Sequence, residues 1–322
     1  PLHRVPVAGS RALARPTTNV RKGHQAMARI PSFTTRPGPD HAGPSNIAAL
    51  STTTEGLWLL QALCGIETLP AVLVTRPYIA DVGPPASHPG LDALRDAGAL
   101  LAGDHHEVHP QIRGWLETLG APDIVLGAMI ERRSPTGAAH HLRIAIARRG
   151  AMTVAATRHD QDITVENLGA VPTMRALLAR MLPLCGPDTA PADFETIMVP
   201  TADFLDGLTQ VVNGEHTPKV ALGRLGLTAG QQRVLTAAAD SPLMEMSLGI
   251  IRHDTTGDQV GIAAVAITDT VEGRVVTGPV RSESGQWWTS VTPGTLAAGA
   301  NALTNLLGTV GLSDWYGHDR ST

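Results

Sequence analysis

Apolar positions along this chain recur with helical and strand periods in a fixed order, and the order occurs twice. In the first pass a helix with apolar residues on one face leads into a β-like run and two further helices. A meander of four runs with partial alternation follows, and another helix closes it. The predicted elements are Glu55–Cys64, Ala71–Pro77, Leu91–Leu101, Pro110–Leu119, Ile124–Glu131, His141–Arg148, Met152–Thr157, Ile163–Leu168 and Val171–Leu182.

From the β-like run onward a second pass follows about 120–124 residues later, with three helices in place of two before the meander. Its predicted elements are Glu195–Val199, Ala202–Asn213, Pro218–Leu225, Ala229–Ala239, Met244–Arg252, Val260–Ile267, Arg274–Val280, Gln286–Val291 and Thr295–Leu307. Thr52 with Glu55, and Thr228 with Gln231, have the spacing of capping boxes at two of the helix starts. The sequence therefore predicts an α+β fold with a quasi-two-fold repeat, in which one central antiparallel β-sheet is flanked by two helical bundles.

This fold is expected to occupy residues 48–318 as a single domain, with halves of about 48–186 and 190–318. Residues 1–47 differ from the rest, since they are rich in Pro, Arg, Ser and Thr and lack apolar periodicity. They are predicted to be a disordered basic tail. Two alternatives are a misplaced gene start, with Met27 or a later residue as the true beginning, and a basic arm that contacts an acidic partner.

Charge and composition restrict the function further. Residues 1–47 hold seven Lys or Arg and one Asp, which gives them a net charge of +6. Because the whole chain has a net charge of −4, the remaining residues carry −10. A domain with that charge binds polyanions poorly, so we expect no nucleic-acid partner. No apolar run reaches the roughly 18–20 residues that span a bilayer, and no secretory signal is recognisable, so a soluble cytoplasmic protein is predicted. Cys64 and Cys185 are interpreted as small buried side chains, with a disulfide between them as the alternative.

The strongest pattern for an enzyme or metalloprotein lies between residues 104 and 109. There His105, His106 and His109 accompany Asp104 and Glu107. Zinc proteases need two His one helical turn apart with a Glu between them, and His106-Glu107-Val108-His109 is one residue too short for that motif. No nucleophile elbow, P-loop or dinucleotide fingerprint occurs, so no catalytic residue, cofactor or metal is predicted. A metal-binding protein or hydrolase that uses these histidines is the alternative function.

Several longer segments resemble those of a known family. They are TTTEGLWLLQALCGIETLPAVLVTRP at Thr52–Pro77, GWLETLGAPD at Gly114–Asp123, LGRLGLTAGQQRVL at Leu222–Leu235, the run Pro242–His253, and DTVEGRVV with GQWWTSVTPGT near the end. In order and spacing they resemble the EspG family, the ESX secretion-associated proteins of mycobacteria and related actinobacteria. The resemblance covers about residues 50–315 and leaves out the basic tail.

The resemblance implies a binding protein without catalytic activity. EspG-like proteins are cytosolic chaperones of type VII secretion, which bind the tip of the PPE subunit in a PE–PPE heterodimer, keep it soluble and direct it to its secretion system. The family binds through the loop between the second and third strands, the sheet face and the C-terminal helical bundle. Here the loop corresponds to Glu131–Ala139 and the bundle to Phe204–Leu235. The free protein is expected to be a monomer or weak homodimer.

Carried over residue by residue, this assigns a polar rim and a set of apolar anchors. The candidate partner-binding residues are Arg132, Arg133, Ser134, Pro135, Thr136, Gly137, Leu208, Val211, Val212, Leu222 and Leu225. The alternative for the leucines and valines is that they form the core of the bundle. The alternative for the two arginines is that they are solvated charges at a hairpin tip.

Overall fold

The structure is a computed structural model that describes residues 33, 47–77, 79, 88, 90–103, 106–133 and 139–320. Within these residues the chain forms one 11-stranded sheet and eight α-helices. The strands are β1 Ala49–Thr53, β2 Ile124–Arg133, β3 Ala139–Arg149, β4 Met152–His159, β5 Asp162–Asn167, β6 Ile197–Pro200, β7 Met244–Asp254, β8 Gly257–Val260, β9 Val265–Thr270, β10 Gly273–Arg281 and β11 Trp287–Pro293. The helices are α1 Thr54–Cys64, α2 Gly90–Asp96, α3 Pro110–Gly120, α4 Met174–Met181, α5 Thr201–Val212, α6 Pro218–Gly223, α7 Ala229–Asp240 and α8 Leu296–Gly308.

The strand order places the first part of the chain on one side of the sheet and the second part on the other. The order is β1-β5-β4-β3-β2-β7-β9-β10-β11-β6, with β8 paired to β7 beside this path, and every strand pair is antiparallel. The two parts meet at β2 and β7, whose register runs from Ile124 opposite Arg252 to Arg132 opposite Met244. The α+β class with a large antiparallel sheet, predicted from the sequence, is confirmed.

The two faces of the sheet are covered differently. On one face, which we call the pair face, α4 and α8 pack against each other and against the even-numbered apolar side chains of β2 and β7. On the opposite face, the bundle face, two separate groups of helices lie over the outer strands. The N-terminal bundle (α1–α3) packs on β3–β5, and the C-terminal bundle (α5–α7) packs on β6, β9 and β11. The core is therefore divided into one large cluster on the pair face and two smaller clusters on the bundle face.

Helix starts show how local sequence sets several of these boundaries. The Thr228 hydroxyl accepts from Gln231 N and the Gln231 side chain accepts from Thr228 N, which confirms the capping box predicted for α7. The box predicted at Thr52 is wrong by one position, because Thr53 is the N-cap of α1 and accepts from Gly56 N. Thr52 lies in β1, a short edge strand that the periodicity did not predict.

Two predicted strands differ from the structure. Ala71–Pro77 is not a strand: it contains a 3₁₀ turn at Ala71–Leu73, and Val72 packs over Gly127 of β2. Val260–Ile267 is not one continuous strand, since it is divided between β8 and β9, which pair with different parts of β7. Gly261 lies between them, with its N–H donating to Ile250 O.

A buried ion pair connects the end of the chain to the first part of the sheet. Arg148 Nη1 lies 3.0 Å from Asp123 Oδ2, and both side chains are almost fully buried. The same carboxylate accepts from Gly150 N at 2.7 Å and from Arg320 N at 3.1 Å, while Arg148 also donates to the His318 carbonyl. These bonds pair two charges that would otherwise be costly to bury, although Arg148 Nε is buried without a hydrogen-bond partner. Among the residues that the structure describes, no helix is long and apolar enough to cross a membrane.

Candidate functional site

A strip of the sheet on the bundle face lies between the two helical bundles and is only partly covered. Along β7 the even-numbered residues from Met244 to Ile250 are buried under α4 and α8, whereas Ser247 and Gly249 are partly exposed. On the paired strand β2, Gly127 and Met129 are likewise partly exposed. We call this strip the central cleft, with β2 and β7 as its floor.

Two glycines of the floor differ in what lies above them. Gly127 and Gly249 are directly opposite in the register of β2 and β7. A Cβ on Gly127 would lie 3.3 Å from Val72 Cβ, so the 3₁₀ turn Ala71–Leu73 forms a wall that closely approaches the floor at this point. A Cβ on Gly249 would meet nothing within 4 Å, so the floor is open on that side. The α7 helix, which contacts β9, borders the opposite side.

One end of the cleft carries both signs of charge. Glu131 on β2 is directly opposite Glu245 on β7, and on its other side it is opposite His141 of β3. Arg133 Nε lies 4.0 Å from Glu131 Oε1, and His141 Nδ1 lies 3.7 Å from Glu131 Oε2. Desolvation raises the pKa of Glu245, the Glu131 carboxylate raises it further and the Arg133 guanidinium lowers it. Two carboxylates that face each other make this end of the cleft suited to a basic or hydrogen-bond-donating partner.

The side chains of the two arginines assigned to the polar rim lie on opposite faces of the sheet. Both lie in β2 and not in a loop, because β2 continues to Arg133 and β3 begins at Ala139. Successive side chains of a strand point to opposite faces. The Arg132 guanidinium lies against Gly186 on the pair face, and Arg133 lies with Glu131 on the bundle face. The predicted loop is therefore shorter than Glu131–Ala139, and its candidates Ser134, Pro135, Thr136 and Gly137 lie outside the described residues.

The predicted apolar anchors lie in the C-terminal bundle. Leu208, Val211 and Val212 are in α5 and Leu222 is in α6, but their side chains lie outside what the structure describes. Leu225 follows α6 and is partly buried, where it packs with Phe204 and Leu227 against the small core formed around Val234, Leu235 and β6. Leu225 thus belongs in part to the core of the bundle, which was the alternative for this residue.

Two exposed apolar side chains of the bundle were not predicted as anchors. Leu205 in α5 is 54% exposed and Val220 in α6 is 47% exposed. Leu205 follows Phe204, which turns inward to the bundle core. By their spacing the apolar residues of α5 fit one helix face, so no sequence signal marked Leu205 as exposed.

The described histidines near residue 106 each make a separate structural contact. Asp104 and His105 lie outside the described residues. The His109 ring caps α3 by accepting from Gln111 N at 3.3 Å, and His106 Nδ1 lies 3.2 Å from Arg95 Nη2. Within the described part of the chain, no group of three or more His, Cys, Asp or Glu could hold a metal ion.

The two cysteines are free in the structure, so the disulfide alternative is wrong. Cys185 is buried beside the Met246 sulfur, with the two sulfur atoms 4.0 Å apart, and Cys64 is half-buried. Burial raises the pKa of the Cys64 thiol to about 11 and that of Cys185 to about 12. At both thiols the effect of burial outweighs that of the neighbouring arginines, which lower the pKa, so neither thiol has the depressed pKa of a reactive cysteine.

Known proteins are similar to this chain over most of its length. The EspG family model matches residues 53–305. The ESX-5 secretion-associated protein EspG5 of Mycobacterium marinum is 24% identical over 302 residues, which cover 84% of this chain and 97% of that protein. The ESX-2 secretion-associated protein EspG2 of Mycobacterium tuberculosis is 27% identical over 286 residues, which cover 84% of this chain and 99% of that protein.

A solved structure shares the fold. It is the Mycobacterium tuberculosis type VII secretion system chaperone EspG5 in complex with the PE25–PPE41 dimer. The TM-score is 0.73 at 21% sequence identity, and the match covers 84% of this chain and 100% of that chain.

Proposed function

Because the chain belongs to the EspG family, we propose that it is a chaperone of type VII secretion that binds a PE–PPE heterodimer through the tip of the PPE subunit. In this proposal it acts in the cytoplasm, keeps its client soluble and directs it to the matching secretion system. Binding needs shape and charge complementarity and no catalytic residue. The family match over residues 53–305 is the observation that carries the proposal.

The central cleft supports this function physically. It is a strip between two bundles whose floor is open above Gly249, where a partner helix or loop can approach the backbone closely. A stable complex buries roughly 1,200–2,000 Å² in total. The C-terminal bundle, with Leu205 and Val220 exposed, extends the apolar area available to a client.

In this proposal the charged end of the cleft orients the client. Glu131 and Glu245 present negative charge, and Arg133 supplies the rim beside it. Ser134–Gly137 are kept as proposed contact residues on the sequence alone. Arg132 is left out of the contact surface, because its side chain lies on the pair face. Rim charges of this kind affect the association rate and the choice of partner more than the affinity.

The experiment is co-expression with PE–PPE pairs from the same genome, followed by size-exclusion chromatography. We expect a co-eluting complex with at least one pair. Leu205→Asp should weaken it at least about tenfold, which corresponds to roughly 1.4 kcal/mol, because a carboxylate replaces an exposed apolar contact. The matched control is Ile262→Asp, since Ile262 is 68% exposed and lies between β8 and β9, away from the bundle. If no pair from the genome co-elutes with the protein, the proposal is wrong.

We also infer that the two parts of the chain are structural repeats. The sheet order supports this, because strands from the two parts occur in mirrored sequence on either side of the β2–β7 pair. The closing helices α4 and α8, which pack on each other, follow β5 and β11 in the same way. Since the central strand pair is enclosed within one chain, the free protein needs no second copy, and we propose a monomer or weak homodimer. Sedimentation velocity at micromolar concentration tests this directly.

A further inference from the structure

Phe33 contacts the folded domain although it lies well before β1 in the chain. Its backbone N–H donates to Glu166 Oε1 at 2.9 Å, a bond between residues 133 positions apart. Its side chain is partly buried and packs against the large core cluster on the pair face. The neighbouring residues 1–32 and 34–46 lie outside the described residues.

The surface beneath Phe33 is an unusual part of the sheet. Ile163 and Val165 of β5 belong to the core of the N-terminal bundle, so Glu166 and Thr164 point to the pair face. Thr153 and Thr157 of β4 lie on the same face. All four side chains are at most 5% exposed. In contrast to the apolar centre of this face, its outer part is thus polar and yet buried.

The polar groups of this outer part are buried, and not all of them are paired. The hydroxyls of Thr153 and Thr157 have no hydrogen-bond partner in the structure. A carboxylate that is only 1% exposed, such as Glu166, requires donors, and the Phe33 backbone supplies one of them.

We propose that the polar outer face of β4 and β5 is a docking surface for the N-terminal segment of this chain, with Phe33 as the apolar anchor. Glu166 holds the backbone at the anchor. Because the client cleft lies on the bundle face, the docked segment leaves it free. The anchor also brings the net +6 of residues 1–47 onto a domain of net −10, which favours docking electrostatically.

The matched regions cover 84% of this chain and 97–100% of EspG5 and its solved structure, and the family model begins at residue 53. Phe33 precedes the family match, whereas Glu166 and the threonines lie within it.

Limited trypsin digestion of the full chain tests the anchor. Arg29–Ile30 is a cleavable bond four residues before Phe33, and Arg11–Ala12 is a distant internal control in the same molecule. Cleavage tracks local opening, so in the wild type Arg29–Ile30 should be cut more slowly than Arg11–Ala12. Phe33→Asp should accelerate cleavage at Arg29–Ile30 at least about tenfold and leave Arg11–Ala12 unchanged, because it removes the apolar anchor.

Phe33→Leu is the matched variant, since it keeps an apolar side chain and should retain most of the protection. Far-UV circular dichroism checks that each variant keeps the fold. The proposal is overturned if the two bonds are cut equally fast in the wild type. It is overturned equally if Phe33→Asp leaves the rate at Arg29–Ile30 unchanged.

Discussion

A valine introduced at each of two glycines of the sheet tests which glycine faces the open cleft and which faces the packed core. Gly249 in β7 and Gly278 in β10 both lie in strands and neither has a positive φ, so a valine strains neither backbone. A Cβ at Gly249 meets nothing within 4 Å. A Cβ at Gly278 would lie 2.8 Å from Ala302 Cβ in α8 and 3.5 Å from Val265 Cγ2.

The expected changes in stability have opposite signs. Gly249→Val should raise the free energy of unfolding by about 0.5–1 kcal/mol, because glycine in a strand loses more conformational entropy on folding. Gly278→Val should lower it by about 1–3 kcal/mol, because α8 must move to accept the added atoms. The two variants should therefore differ by about 1.5–4 kcal/mol, provided that neither change alters the unfolded state differently.

Urea unfolding followed by circular dichroism measures this difference. An unchanged m-value shows that the variants and the wild type expose the same surface on unfolding. Gly249→Val should at the same time weaken binding of a PE–PPE heterodimer at least about tenfold, because its methyl groups occupy the cleft. If Gly249→Val destabilises the protein as much as Gly278→Val, the space over Gly249 is not open. If the stable Gly249→Val variant binds its client like the wild type, the cleft is not the client site.

Three further predictions concern charge and reactivity. Asp123→Ala should lower the free energy of unfolding by about 3–5 kcal/mol, because it leaves the buried Arg148 charge without its carboxylate; urea unfolding tests this, and a loss under 1 kcal/mol would contradict it. At pH 8 and under native conditions Cys64 and Cys185 should react with iodoacetamide far more slowly than in denaturant, because their raised pKa values of about 11 and 12 keep the thiols protonated. Mass spectrometry over time measures the two rates, and equal rates would contradict the raised pKa values. The raised pKa of Glu245 means that its charged form opposes folding, so Glu245→Gln should raise the Tm at pH 7. The gain in Tm should vanish as the pH falls below about 4, where Glu245 is protonated in the folded and unfolded states. A gain in Tm that is independent of pH would contradict this cause.

Elements with both periodicity and a local cap were predictable from the chain alone. The α7 helix has its Thr228–Gln231 box within four residues, and the structure contains that box. The segment Ala71–Pro77 shows the opposite case. Its residues AVLV favour a strand locally, but a strand also needs a partner edge, and here Val72 covers Gly127 while its carbonyl lies 3.5 Å from Arg143 Nη1.

The candidate site was predictable at the level of segments more than of side chains. The C-terminal bundle and the hairpin between β2 and β3 lie where the sequence placed them, apart from the hairpin boundaries. Their roles in binding stay predictions. The separation of Arg132 from Arg133 depended on how far β2 extends, because two residues of one loop can share a surface whereas neighbours in a strand cannot.

The sequence by itself determined the order and type of most helices and strands and the resemblance to one family. Those properties depend on spacing and composition, which are local along the chain. Only the tertiary structure decided that Gly127 faces Gly249 across a partly open strip, that Leu205 is exposed while Leu225 is partly buried, and that Phe33 reaches Glu166. Exposure and long-range contact depend on which distant elements pack on a residue, and the residue's own neighbours in sequence do not specify that.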